Sequence, residues 1–300
     1  MDIRTALTYE IGNLHEPIVT SYTLGLLLFR LYRSGEYRGE RLKEISQAIP
    51  TQATFNTVKT ALLRRAVLTE DAPLPSPDVF GILGRQEAPA EDVACAVDPF
   101  AYVSHMSAMD WHGFTDRVPR LLSLSSPPPK EWRTFADEKM RKDLPGEDFW
   151  MYRGEHLPEL RRLRLEKIGR VRVNRYASLH LGAFTHVRGR ALRVSTIGRT
   201  FLDMIREPDL CGGIYHVLDI YARDAERYLQ LIVDEIERHG RQIDKVRAGY
   251  ILQERCGLTH PTVQSWTRLA QRGGSRKLYA HGPYSPDYSE TWCLSINIEE

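Results

Sequence analysis

From Thr51 to Thr69 the chain carries no acidic residue. Gln52, Thr54, Asn56, Thr57, Lys59, Thr60 and Arg64 fall in this stretch, at spacings that place a polar helix face opposite Phe55, Val58, Leu62 and Leu63. Short hydroxyls, side-chain amides and cations are the groups that reach base edges and phosphates in a DNA major groove. An amphipathic helix in an ordinary bundle has the same apolar stripe and polar back. A solvated face usually mixes signs, however, and this one does not.

Two further groups of cations are candidates for phosphate or partner contact. Arg153, Arg161, Arg162, Arg164, Lys167, Arg170, Arg172 and Arg175 lie in a span with three glutamates, and Arg188, Arg190, Arg193 and Arg199 follow. Such density suits an anionic partner. The competing reading pairs the arginines with Glu159 and Glu166 on a solvated face. Around Gly273-Gly274 stand Arg268, Arg272, Arg276 and Lys277, which with backbone amides could hold a phosphate.

Catalytic patterns are weak, and no catalytic residue, metal ligand or cofactor is assigned. Asp137-Glu138-Lys139 has the Asp-x-Lys spacing of metal-dependent nucleases, but no predicted strand carries it. Gly274-Ser275 followed by Asp287 resembles a nucleotidyltransferase opening, yet Ser289 stands where a second carboxylate is needed to hold magnesium. His105 and His112, near Asp110 and Trp111, read as helix packing. Cys95, Cys211, Cys256 and Cys293 have no paired spacing, which argues against a local zinc site and a disulfide framework and makes a reducing cytoplasm the expectation. The first residues form no charged-then-apolar leader, and the longest apolar run, from Leu24 to Phe29, is too short to span a bilayer.

The elements that must position the polar face follow from the neighbouring sequence. Arg41 to Ala48 reads as a short helix burying Leu42, Ile45 and Ile49, stopped by Pro50. Thr51 or Thr54 then caps the second helix of a helix-turn-helix. Ser21 to Arg33, ended at Ser34-Gly35, is the supporting helix. Val67 to Thr69 and Val79 to Leu83 read as strands around an acidic, proline-rich loop, Asp71 to Pro77. That loop makes a wing poorly suited to gripping DNA, so affinity falls to the second helix. Gly84 to Glu91 reads as a linker.

Beyond it, helices are predicted over Ala94 to Val97 and Tyr102 to Trp111. Strands are predicted over Arg120 to Ser125, Val171 to Arg175, Gly182 to His186 and Ala191 to Val194. Lys130 to Leu144 reads as charged surface. Helices follow over Thr200 to Arg206, Gly213 to Tyr221, Ala225 to His239 and Val246 to Cys256, then a late strand over Thr291 to Asn297. The expected fold is α+β: a winged helix-turn-helix domain over 1–85, then a larger mixed α/β domain over 86–300 with a helical C-terminal subdomain. Three hundred residues accommodate both, and a net charge of +2 means that any nucleic-acid surface arises from local clustering.

Three stretches carry a family resemblance: TFNTVKTALLRR (Thr54–Arg65), AYVSHMSAMDWHGFTDRVP (Ala101–Pro119), and the run from VSTIGRTFLDMIREPDLCGG (Val194–Gly213) to RLAQRGGSRKLY (Arg268–Tyr279). The second is similar to a Ser-x-x-Ser-Ala…His-Gly-x-Thr block. The third is similar to Arg-Thr-x-x-Asp…Pro…Gly-Gly and Arg-Gly-Gly-Ser signatures. In this order they resemble the abortive-infection E antitoxin family, the antitoxin and repressor half of a bacterial type IV toxin–antitoxin pair. The resemblance implies an N-terminal domain that binds inverted repeats of double-stranded DNA in its own promoter, with self-association on DNA. It also implies a C-terminal domain that antagonises a nucleotidyltransferase-like toxin; the short apolar runs separately lead to the expectation of no membrane partner. A metal-dependent nuclease or nucleotidyl-transfer enzyme, and an interaction module that binds no DNA, are the alternatives.

Overall fold

The computed structural model describes every residue except 44, 46, 71–75, 86, 179–182, 272–275 and 299–300. In chain order it runs α1 (Ile3–Asn13), β1 (Ile18–Thr20), α2 (Ser21–Ser34), β2 (Glu36–Tyr37), β3 (Glu40–Arg41), α3 (Gln52–Arg64), β4 (Leu68–Thr69), β5 (Val79–Ile82) and α4 (Ala90–Val97). Next come β6 (Tyr102–Val103), α5 (His105–Trp111), β7 (Leu122–Ser126), α6 (Pro129–Asp143), α7 (Asp148–Gly154), β8 (Lys167–Ile168), β9 (Val171–Ala177), β10 (Phe184–His186) and β11 (Arg193–Ser195). The last third holds α8 (Ile197–Arg206), α9 (Ile214–His239), α10 (Gln242–Gly249), α11 (Pro261–Ser265), β12 (Tyr288–Ser289) and β13 (Leu294–Ser295). The fold is mixed α+β with several sheets.

The chain forms two compact units. One gathers Met1–Tyr102, Ser125–Leu181 and His186–Arg193; the other gathers Val103–Leu124, Gly182–Thr185 and Val194–Glu300.

The first unit is built on α2. Thr20 caps it, its side chain accepting from the Thr23 amide, and Gly35 ends it in the left-handed region at φ 66°, where a side chain is strained. Leu24, Leu28 and Phe29 are buried in a core shared with Leu7 and Ile11 of α1 and Phe55, Val58 and Leu62 of α3. Gly25 lets a second layer approach, since a Cβ there would lie 2.5 Å from the Tyr152 hydroxyl of the α7 region. A three-stranded sheet in the order β1-β5-β4 is antiparallel throughout, with Val19 opposite Phe80 and Leu68 opposite Ile82.

The stretch before α3 differs from expectation. The described residues of Arg41 to Ala48 form no helix: β3 pairs with β2 in a hairpin, and Lys43 bridges to Asp2. The Leu42 and Lys43 amides donate to the Gly35 and Met1 carbonyls, so they are used in extended pairing before a helical turn can start. Leu42 is still buried, and Ile45 and Ile49 still pack on the core. Their apolar spacing therefore anchors an irregular segment.

Lys130 to Leu144 also differs, because α6 buries Trp132, Ala136 and Met140. These lie four apart, a single row of contacts on an otherwise charged helix. Tyr102 to Trp111 splits into β6 and α5 at His105, whose φ is 49°.

In the second unit Val103 of β6 pairs in parallel with Val194 of β11. From Ile197 onward the chain is predominantly helical. The two helices predicted over 213–239 follow one another directly in α9, parted by a kink at Tyr228, whose φ of −113° and ψ of 15° are not helical. α8 crosses α9 at Gly198, where a Cβ would stand 2.3 Å from the Leu231 carbonyl oxygen. The helix expected from Val246 starts earlier, at Gln242, because the Asp244 side chain accepts from the Arg241 amide and fixes the first turn. It passes into a π-helical turn at Tyr250–Arg255. The late strand is β13, shorter than expected and paired with β12. The Asp71–Pro75 part of the wing loop, the start of the Gly182 strand and the Arg272–Ser275 loop lie outside the described residues.

Candidate nucleic-acid interface

The Thr51 hydroxyl sets the start of α3 by accepting from the Thr54 amide, and the two hydroxyls lie 3.0 Å apart. Thr54 thus positions the helix and stands back from its outer face. Phe55, Val58 and Leu62 hold the inner face. Asn56, Thr57, Thr60 and Arg64 are exposed, while Gln52, Thr54 and Lys59 are half-buried. Gln52 donates to the Asn56 side-chain carbonyl at 3.3 Å, which holds two amide groups side by side. The Thr57 and Thr60 hydroxyls donate to the Ala53 and Asn56 carbonyls. Such back-bonds hold a hydroxyl against its own helix while its oxygen can still accept from a ligand. The Lys59 ammonium lies 5.9 Å from the Phe55 ring centroid, so its charge rests partly on that aromatic face.

The fold adds two cations that the sequence pattern leaves out. Arg4 of α1 and Arg65 join Asn56, Thr57, Thr60 and Arg64 in lining one open concavity. The Arg4 Nε–H is buried with no hydrogen-bond acceptor among the described residues. Arg65 has a long contact, 3.9 Å, to the Asp2 carboxylate. A basic residue in a helical first segment gives no sequence signal for this role; only the packing of α1 against α3 brings it there.

The arginine band resolves into unlike parts. Arg153 is paired with Glu159 at 2.9 Å, and Arg164 with Glu166. Arg175 points inward to Asp98 and to the Leu163 carbonyl; burial lowers its pKa, an effect that Asp98 opposes. Arg161 is exposed, and Arg162 is half-buried with its Nε–H lacking an acceptor among the described residues. Lys167, Arg170 and Arg172 are exposed on the β8–β9 hairpin. There Lys167 lies directly opposite Arg172 in register. Like charges facing across a strand pair are unfavourable unless an anion lies between or over them. If this hairpin touches phosphate, Arg170→Ala with Arg172→Ala is expected to reduce the slope of log affinity against log salt by about 0.9 per lost contact. An unchanged slope in titrations at several salt concentrations assigns the hairpin to another role.

Arg276 donates to the Leu269 carbonyl and Lys277 to the Gly282 carbonyl, so both cations are engaged by backbone. Asp137 and Lys139 lie on α6, paired at i,i+4 with Arg141 and Asp143. No group of three or more potential metal ligands occurs among the described residues, and no helix there is long and apolar enough to cross a membrane.

The other motif blocks hold the second unit together. Arg199 donates to Asp203 at 2.7 Å, with both side chains almost fully buried. Ser107 accepts from the Ser123 amide, His112 Nε2 donates to the Ser195 carbonyl, and Thr115 meets His216 at 3.0 Å. Burial lowers the pKa of His112, a shift opposed by its bond to Ser195. These side chains brace the fold.

No protein-family model matches this chain, and no curated protein matches it. Among solved structures it is distantly similar to the RV2827C protein of Mycobacterium tuberculosis. That likeness has 13% identity and a TM-score of 0.45, over 97% of this chain and 90% of that one.

Proposed function

We propose that this chain is a DNA-binding antitoxin that represses its own promoter and antagonises a nucleotidyltransferase-like toxin. The observation that carries the DNA reading is the outer face of α3. Asn56, Thr57, Thr60 and Arg64 are exposed together on a helix without a carboxylate, and Arg4 turns toward the same concavity. An amide beside a guanidinium can read adenine and guanine edges, and flanking arginines neutralise phosphates.

Residues 1–85 are read as a winged-helix variant. In support, α2 and α3 are followed by β4 and β5, and the β1-β5-β4 sheet closes the unit as wing strands would. The β2–β3 hairpin and the described residues that follow it up to Pro50 stand where the first helix of the motif would lie. The toxin half of the proposal rests on the sequence resemblance of residues 101–119 and 194–279. A single reading helix covers one half-site, so binding to inverted repeats calls for two copies on the DNA.

The test is a gel shift of the full chain, at fixed salt, on the promoter fragment upstream of its own gene and on a scrambled fragment. Asn56→Ala with Arg64→Ala is expected to weaken promoter binding about thirtyfold or more, because two base contacts at roughly 1–3 kcal/mol each are lost. Arg4→Ala is expected to weaken both fragments alike, as a phosphate contact does. Unchanged promoter affinity in the double variant overturns the assignment of α3. Failure of the wild type to prefer the promoter overturns the repressor reading.

A further inference from the structure

The second unit carries an open groove of about 1010 Å³ with five tyrosines in its lining. Tyr215 comes from α9 and Tyr250 from the π-helical turn, and Tyr279, Tyr284 and Tyr288 come from the segment leading into and through β12. Tyr215 is 52% exposed and Tyr284 58% exposed. Large aromatic surface left in water at one place marks a docking site.

The wall is fixed in advance. The Asn297 side chain accepts from the Tyr279 amide and donates to the Tyr279 and Pro283 carbonyls. The Ser295 hydroxyl donates to the Ser285 carbonyl and accepts from its amide. Gly282 sits so close that a Cβ would stand 2.7 Å from Asn297 Nδ2. Loops held this tightly present their rings without an ordering cost on binding.

Two features select the occupant. A groove lined by several tyrosines, three of them on a tightly held loop segment, suits a polyproline II chain, which comes preformed and has no internal hydrogen bonds. The charged residues lining the groove are Glu254 and Asp287, both exposed and both acidic. We propose that this groove binds an extended, proline-rich protein segment carrying arginine or lysine, with the prolines between tyrosine rings and the cation at Glu254 and Asp287. This site is independent of α3 and of the DNA reading.

The test immobilises the full chain and passes over it randomised peptide libraries with fixed Pro-x-x-Pro and an arginine at either end. Matched libraries have alanine for the prolines, or glutamate for the arginine. Preferential retention of the proline–arginine libraries is expected. Tyr215→Ala with Tyr284→Ala, both exposed positions, is expected to weaken the selected peptide about tenfold or more. Glu254→Gln with Asp287→Asn is expected to remove the preference for arginine over glutamate. Asn56→Ala with Arg64→Ala is expected to leave peptide binding unchanged. Equal retention of the alanine libraries, equal retention of the glutamate libraries, or full affinity in the tyrosine double variant overturns the proposal.

Discussion

Asp98→Ala is expected to cost the first unit about 3–5 kcal/mol, a large part of the stability of an ordinary domain. Asp98 is 2% exposed and sits at the centre of a hydrogen-bond network. Its Oδ1 accepts from the Trp132 indole at 2.9 Å and the Phe100 amide at 3.0 Å. Its Oδ2 accepts from the Ser126 hydroxyl at 2.8 Å and lies 3.5 Å from the Arg175 guanidinium. Its backbone carbonyl accepts from Arg193, which also donates to the Cys95 and Ala101 carbonyls. One carboxylate therefore joins α4, β7, α6 and β9. Alanine leaves the indole and a mostly buried guanidinium without their acceptor, and an unpaired buried cation is the most expensive remnant. Asp98→Asn keeps the shape and one acceptor, so it is expected to cost roughly half as much. Urea unfolding followed by tryptophan fluorescence reads both. A loss under about 1 kcal/mol for the alanine variant removes Asp98 from the organising role.

How much of this was legible beforehand depends on whether the signal is local. α2, α3, β7 and β9 stand near their expected positions because an apolar period, a cap or a terminating glycine lies within each segment. A threonine cap at Thr51 or Thr54, of which the structure uses Thr51, and the exposure of Asn56 and Arg64 are readable for the same reason. The segment at 41–48 has a helical apolar period, yet Gly35 and Met1 take its amides, and neither acceptor is near in sequence. α6 hid its core face because its apolar row is one residue wide. In the arginine band, composition could not separate Arg175, which points to Asp98 across 77 positions, from Arg172 three residues before it, which is exposed. Arg4 had no signal at all. What the sequence conceals in each case is a partner set by tertiary packing.

The second unit offers the other large effect, and it carries a pH signature. Asp244 is fully buried on α10, within 2.8 Å of Arg206 Nε, and Arg206 also donates to the His239 carbonyl. Arg241 adds its amide at 2.9 Å and its guanidinium at 3.2 Å. Burial by itself would raise the Asp244 pKa, but Arg206 and then the Arg241 bonds hold it below the usual aspartate value. Its charged form is thus favoured in the folded state. The stability it contributes is fully present above the unfolded aspartate pKa of about 3.9 and is lost as pH falls through the lower, folded value. Asp244→Asn cannot supply the charge, and it leaves the buried Arg206 guanidinium without its carboxylate partner. A loss of about 3–5 kcal/mol is expected near neutrality. The gap between wild type and variant should hold steady down to about pH 5 and close below pH 4, as the wild-type carboxylate takes up its proton. Thermal unfolding of both proteins across that range measures it. A gap that stays constant into strong acid means that shape and hydrogen bonding at Asp244, and not its charge, hold α8 and α10 together.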